Sequence, residues 1–136
     1  MILIDTGPLV AILDHNDPNH ARCVAVAQGL PAEPMVTTMA CLTEAMYFTG
    51  RDRGPAGQAR LWQLHLSGKL IVHPHSNAEL GRMKELMDIY TDTPMDFADA
   101  SLVVAAEVLG ISQIFSLDSH FHAYRLHGKT PFNVAP

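Results

Sequence analysis

Short apolar runs alternate along this chain with longer stretches in which apolar positions return every three or four residues. Met1–Ile4 reads as a buried strand running into a loop or helix start at Asp5-Thr6-Gly7-Pro8. Gly7–Leu13 reads as a helix, and Asp14–Pro18 as a polar break ending in a helix-start signal, Asp17 followed by Pro18. A helix over His20–Leu30 is stopped by Gly29 and Pro31, and Met35–Thr37 is a second strand. Thr38 caps a helix through Phe48 that ends at Gly50, and Pro55–Leu66 forms the next, closed by Gly68. Leu70–His73 is a third strand. Ser76 and Glu79 have capping-box spacing and open a helix to about Tyr90. Thr93-Pro94 opens another, which runs to Leu109 and stops at Gly110. Gln113–Leu117 is a fourth strand, a short helix covers Phe121–Leu126, and Phe132–Val134 is a fifth strand. Strands alternating with helices predict an α/β fold with a mostly parallel sheet.

Size and composition narrow the classes. The chain has 136 residues, 48% of them hydrophobic and 17% charged, enough for one core, so residues 1–136 read as a single domain and not as a disordered chain. No apolar run is long enough to span a membrane, and the acid at position 5 argues against a signal peptide. Cys23 and Cys41 lie in apolar, helix-like stretches and read as buried free thiols in a reducing cytoplasm. A net charge of −5 argues against a plain basic nucleic-acid binder.

The position of the acids changes that picture. Ligands of parallel α/β sheets bind beyond the carboxyl ends of the strands. Asp5 and Asp118 each end a strand there. Glu44 is the only charge in its helix, and Asp96 and Asp99, three apart on one face, lie in a largely apolar one. A lone acid in such a helix is costly to bury unless it is paired or binds metal. Of the fourteen acids, removing these five leaves nine to face the nine bases, so the whole net charge belongs to the expected pocket. Clustered carboxylates take up protons or hold cations, and an all-oxygen set suits Mg²⁺ or Mn²⁺. Thr6 and Ser116, near Asp5 and Asp118, read either as hydroxyl partners for the carboxylates or as groups that satisfy turn backbone. As local features, Asp5 and Asp118 also suit turns or caps. Asp96 suits the N3 position of a helix capped by Thr93, whereas Asp99 reads as lying past the first turn.

Four segments taken together resemble the PIN domain, and within it the VapC-like ribonuclease toxins of toxin–antitoxin pairs. They are Ile2-Leu-Ile-Asp-Thr-Gly-Pro-Leu9, Thr43-Glu44-Ala45, Asp96-Phe-Ala-Asp-Ala-Ser-Leu-Val103 and Ile114-Phe-Ser-Leu-Asp-Ser-His-Phe121. The resemblance implies a three-layer α/β/α sandwich and an acidic pocket for Mg²⁺ or Mn²⁺. It also implies endonucleolytic cleavage of RNA, a cognate antitoxin protein, and commonly a homodimer. Its four acids fall on Asp5, Glu44, Asp99 and Asp118, and its hydroxyl two residues before the last acid falls on Ser116. Asp96 is an acid found in only some branches, and position 120, often acidic in relatives, is His here. On this resemblance Asp5, Glu44, Asp96, Asp99 and Asp118 are the metal-binding set. An anionic pocket cannot hold an anionic phosphodiester unaided, and a divalent cation reverses the local sign and activates water for in-line attack.

Other residues carry weaker signals. His73-Pro-His75 and His120-Phe-His122 are the only close histidine pairs, and neither shows a Cys or carboxylate at usual zinc-ligand spacing, so no zinc site is expected. Arg51, Arg53, Arg125 and Lys129 read as a solvated surface, with the pocket rim as the alternative. Leu61, Trp62 and Leu64 read as core or as apolar surface for a second copy. Two rivals of the toxin reading are an unpaired PIN nuclease of RNA processing and a catalytically silent protein-binding scaffold. An aspartyl-phosphate phosphatase needs a second Asp two residues after Asp5 in many such families, and position 7 is Gly.

Overall fold

The computed structural model describes all residues, 1–136. Five strands form a fully parallel sheet in the order β3-β2-β1-β4-β7: β1 (Ile2–Ile4), β2 (Met35–Thr38), β3 (Leu70–His73), β4 (Gln113–Phe115) and β7 (Asn133–Ala135). Leu3 registers with Val36 on one side and Ile114 on the other, so β1 is the centre of the sheet. The chain steps outward from β1 to β3, then returns to the opposite side of β1 for β4. That reversal puts a crevice between β1 and β4 at their carboxyl ends.

Period-two alternation sends successive residues of β1 to opposite faces, and two separate cores result. Ile2 and Ile4 pack with Leu9 and Val10 of α1 (Thr6–Leu13), Cys23 of α2 (His20–Gly29), and Leu42, Ala45 and Leu61 of α3 (Met39–Leu66). Leu3, Val36 and Ile114 pack with Met83 and Leu86 of α4 (Asn77–Ile89) and Leu102 of α5 (Phe97–Leu109) on the other face. This is the α/β/α sandwich. Residues Ala98 to Ala106 of α5 are buried without a break, which fits its apolar circumference. Gly110 then closes the helix in the left-handed conformation at φ 67°.

Several boundaries differ from the sequence expectation. The break in α3 falls at Gly54 (φ 64°, ψ −156°), a conformation nearly reserved for glycine, and Pro55 restarts the helix. Gly50 stays within the helix, and Gln58 lies against it where a Cβ would collide, so the residue serves close packing and not a stop. Helix α5 begins three residues later than Thr93 allows. Asp96 is the N-cap, accepting from Asp99 N at 2.8 Å, and Asp99 returns the bond to Asp96 N at 3.2 Å. Asp99 is therefore in the first turn, and Asp96 is the cap, not N3. The expected helix over Phe121–Leu126 is a 3₁₀ turn (Ser119–His122) followed by a small antiparallel pair, β5 (Arg125–Leu126) and β6 (Thr130–Pro131). The reversal between them uses His127 and Gly128, both at positive φ. Leu61 is fully buried, so it belongs to the core and offers nothing to a second copy, while Trp62 beside it is half exposed.

Candidate functional site

Local cap chemistry positions most of the acids. Asp5 caps α1 by accepting from Thr6 N at 2.7 Å, and Asp118 caps the 3₁₀ turn by accepting from His120 N at 2.9 Å. With Asp96 and Asp99 reciprocally bonded at the start of α5, four of the five acids sit at helix starts around the carboxyl edge of β1 and β4. The cap reading and the pocket reading are thus compatible: short acidic caps bring the carboxylates to the sheet edge, where helix N-termini favour negative charge. Glu44 alone comes from mid-helix, on α3. All five acids line one cavity of about 470 Å³, with Thr6, Gly7, Phe48, Arg51 and Leu117 among its other walls.

Hydroxyl groups tie the set together as expected. Ser116 Oγ donates to Asp5 Oδ2 at 2.8 Å and accepts from Asp118 N at 3.0 Å, so one side chain orients two acids. Thr6 Oγ1 donates to Glu44 Oε1 at 2.9 Å. Two partners carry no signal in the sequence. Cys41 Sγ lies 3.8 Å from Asp5 Oδ1, and Tyr124 Oη lies 3.3 Å from Asp99 Oδ2 while donating to Pro94 O at 2.8 Å. Each comes from a distant segment, and neither residue type announces such a role.

The electrostatics set this pocket apart. No Lys or Arg nitrogen lies within 4.0 Å of any of the five carboxylates; His120 Nδ1, 3.3 Å from Asp118, is the one basic neighbour. Elsewhere most of the acids are paired, Asp14 with Arg53 and Glu107 with Arg82 among them. Burial pushes the Asp5 carboxyl up, against the hydrogen bonds from Ser116 and Thr6. Burial, then the charge of Asp96, pushes Asp99 up to about 7. Burial, then the charge of Asp5, holds the Cys41 thiol protonated by raising it to about 12. A set of hard oxygen donors without Lys or Arg partners, in which burial disfavours the charge on Asp5 and Asp99, fits a hard divalent cation. No three of the five acids bring their oxygens within 4.8 Å of one another, so they line the cavity without closing into a compact cage. Mutual repulsion and the separate cap bonds both favour that spread.

The basic rim is sparse. Arg51 lines the cavity, pairs with exposed Asp52 and stacks over Phe48 at 4.9 Å, which agrees with a rim position. Arg53 is taken by Asp14, and Arg125 bonds the carbonyls of His122 and Tyr124.

A family model, PIN domain, matches residues 2–126. The chain belongs to the PIN domain family. A curated relative, Ribonuclease VapC26 of Mycobacterium tuberculosis, is 27% identical over 136 residues, covering 99% of this chain and all of that one. Two solved structures are similar in fold. VapC20 of M. tuberculosis, described as a toxin that cleaves the sarcin–ricin loop, superposes with a TM-score of 0.83 at 19% identity, covering 90% of this chain and 94% of that one. FitAcB from Neisseria gonorrhoeae gives 0.65 at 18% identity, covering 88% and 89%. The sandwich and its parallel sheet are therefore those of PIN domains.

One expectation fails on geometry. The histidine pair at 73 and 75 does have a carboxylate partner, because the first turn of α4 brings Glu79 against both rings. The capping-box role of Glu79 hid this in the sequence. No helix of the molecule is long and apolar enough to cross a membrane.

Proposed function

We propose that this PIN domain is a metal-dependent endoribonuclease that hydrolyses RNA phosphodiester bonds and acts as the toxin of a toxin–antitoxin pair. The observation that carries the reading is the pocket itself: five carboxylates at the carboxyl edge of the sheet's centre, none of them ion-paired with a Lys or Arg. The names of the similar proteins, two of them ribonuclease or RNA-cleaving toxins, support the substrate class. Asp5, Asp99 and Asp118 would hold Mg²⁺ or Mn²⁺, with Asp96 at the outer edge. The ion supplies positive charge for the scissile phosphate and acidifies water. Glu44 has one carboxylate oxygen engaged by Thr6, which leaves Oε2 to orient water and take its proton. Ser116 keeps Asp5 and Asp118 in mutual register, and Tyr124 keeps Asp99 turned into the cavity. Asp99 would have to be ionised to hold the cation, so affinity is expected to rise with pH through about 7. The site of action is the cytoplasm, and the whole chain works as one nuclease domain.

Calorimetry and thermal denaturation test the metal claim. Mg²⁺ or Mn²⁺ at about 100 times Kd adds roughly 2.7 kcal/mol of stability. No heat and no shift in Tm with either ion would remove the basis of the reading.

The protein partners we propose are a cognate antitoxin and a second copy of this chain. Exposed Met39, Tyr47 and Trp62 rim a groove with Leu42 and Met46 on α3, an apolar surface well placed for self-association. Sedimentation at tens of micromolar is expected to give the mass of a dimer; a monomer mass at that concentration counts against it.

A further inference from the structure

Away from the acidic pocket, three ligand-bearing side chains converge where β3 hands over to α4. His73 ends β3, one of the two edge strands of the sheet, and His75 follows two residues later across Pro74. Glu79 lies in the first turn of α4. His73 Nε2 stands 2.7 Å from Glu79 Oε1, and His75 Nδ1 stands 3.6 Å from the same oxygen. The three ligand atoms lie within 4.8 Å of one another, the only such trio of His, Cys, Asp and Glu in the molecule.

The protonation geometry is what marks the cluster. His75 Nε2 is 2.9 Å from Ser101 O, a carbonyl that can only accept, so Nε2 carries the hydrogen. In the neutral ring the lone pair then sits on Nδ1. That atom is buried, has no hydrogen-bond partner, and points toward a carboxylate oxygen, which is also an acceptor. The side chain is nine-tenths buried, at 10% exposure, so water does not readily satisfy it. A cation between His75 Nδ1 and Glu79 Oε1 resolves the conflict.

The supporting bonds that a metal ligand needs are in place. Ser101 O fixes the His75 tautomer, and Ser76 N donates to Glu79 Oε2 at 3.1 Å, leaving Oε1 to face the rings. Ligand atoms around tetrahedral zinc stand roughly 3.3 Å apart, given bonds of about 2.0–2.1 Å. The 2.7 Å and 3.6 Å separations from Glu79 Oε1 bracket that value, and all three ligand atoms lie within 4.8 Å of one another.

We propose that His73, His75 and Glu79 form a second metal site, which takes a late first-row divalent cation of the zinc class. Two imidazole nitrogens and one carboxylate oxygen are a borderline donor set, which separates it from the all-oxygen pocket and its preference for Mg²⁺ or Mn²⁺. The bound ion ties the edge strand β3 to α4 and, through Ser101, to α5. Three protein ligands leave a fourth position for water.

The test uses the full chain, stripped with a chelator and then kept in excess Mg²⁺ so that the acidic pocket is occupied. Zn²⁺ titrated by calorimetry is expected to bind at one equivalent. Co²⁺ in the same buffer is expected to give the intense visible absorption of a tetrahedral site, displaced by Zn²⁺. His75→Ala and Glu79→Gln are each expected to weaken Zn²⁺ binding at least about 100-fold, more than the loss usual for an outer hydrogen-bond partner. His120→Ala and Asp99→Asn are expected to leave it unchanged. Absence of stoichiometric binding by the parent overturns the proposal without needing any variant. So does binding that survives His75→Ala, or that Asp99→Asn abolishes, since the ion is then elsewhere. Failure here leaves the nuclease reading intact, because that reading rests on other residues.

Discussion

Asp5→Asn, Asp99→Asn and Asp118→Asn are each expected to lower kcat/KM for cleavage of a labelled single-stranded RNA by more than about 100-fold at saturating Mg²⁺. Losing a partner that merely orients a metal ligand typically costs about 10–100-fold, so losing a ligand's charge should cost more. The exchange removes charge and almost no volume. Asn also caps helices about as well as Asp, so Asp5 and Asp118 keep their bonds to Thr6 N and His120 N. Far-ultraviolet circular dichroism should therefore match the parent. Asp96→Asn provides the internal contrast. Asp96 is exposed and spends Oδ1 on the N-cap bond to Asp99 N, a bond that Asn also makes. Its loss is expected to stay within about 10-fold, because outer groups cost that order. Wild-type cleavage by both the Asp5 and Asp118 variants would refute the assignment of the pocket, whatever the behaviour of the others.

A second large effect concerns stability without metal. The Asp99 carboxyl is raised from an ordinary 3.8 to about 7 by burial and by the neighbouring charge of Asp96. Between those two values the folded protein holds a proton that the unfolded chain has released. Stability therefore falls as pH rises through that window and stays low once Asp99 is ionised. In EDTA above about pH 7, Asp99→Asn should melt higher than the parent, and the two should converge in acid, near the pH where Asp99 is protonated in both states. A relief of about 1 kcal/mol corresponds to roughly 2–8 °C for a domain of this size. Mg²⁺ should reverse the order, since the parent alone gains the full binding energy. Because Asp99 and Asp96 exchange cap bonds, Asp99→Ala separates the two effects: it loses repulsion and the bond to Asp96 N together. It should gain less than Asp99→Asn or fall below the parent. An Asn variant that melts lower than the parent at every pH in EDTA would mean that the cap bond outweighs repulsion. The physical case for a crowded acidic pocket would then be lost.

These two experiments bear on a feature that makes the site economical to fold. The same carboxylates that repel one another at the sheet edge also satisfy backbone N–H groups at the starts of α1, α5 and the 3₁₀ turn. Each cap bond offsets part of the repulsion, so the fold tolerates an unpaired acidic cluster next to its core.

The amino-acid order alone determined what is local or additive. Apolar period fixed the alternation of strands and helices, because side-chain direction repeats every two residues in a strand and every 3.6 in a helix. Position marked Asp5, Glu44, Asp96, Asp99 and Asp118 as candidates, because two end strands and three lie in largely apolar helices, and their number equals the excess of acids over bases. Tertiary structure decided whatever depends on which faces meet. Gly54, at φ 64° and ahead of Pro55, breaks α3, while Gly50 stays helical with Gln58 packed against it. Asp96 displaces Thr93 as the cap of α5, because the reciprocal Asp96–Asp99 bonds form there. Leu61 is core while Trp62 beside it is exposed, since one residue along a helix is a turn of about 100°. Tyr124 reaches Asp99 across 25 residues of chain, and His75 finds Ser101 across 26. Spacing along the chain carries no record of such pairs, because burial and register bring them together only when the sheet and its two helical layers have closed.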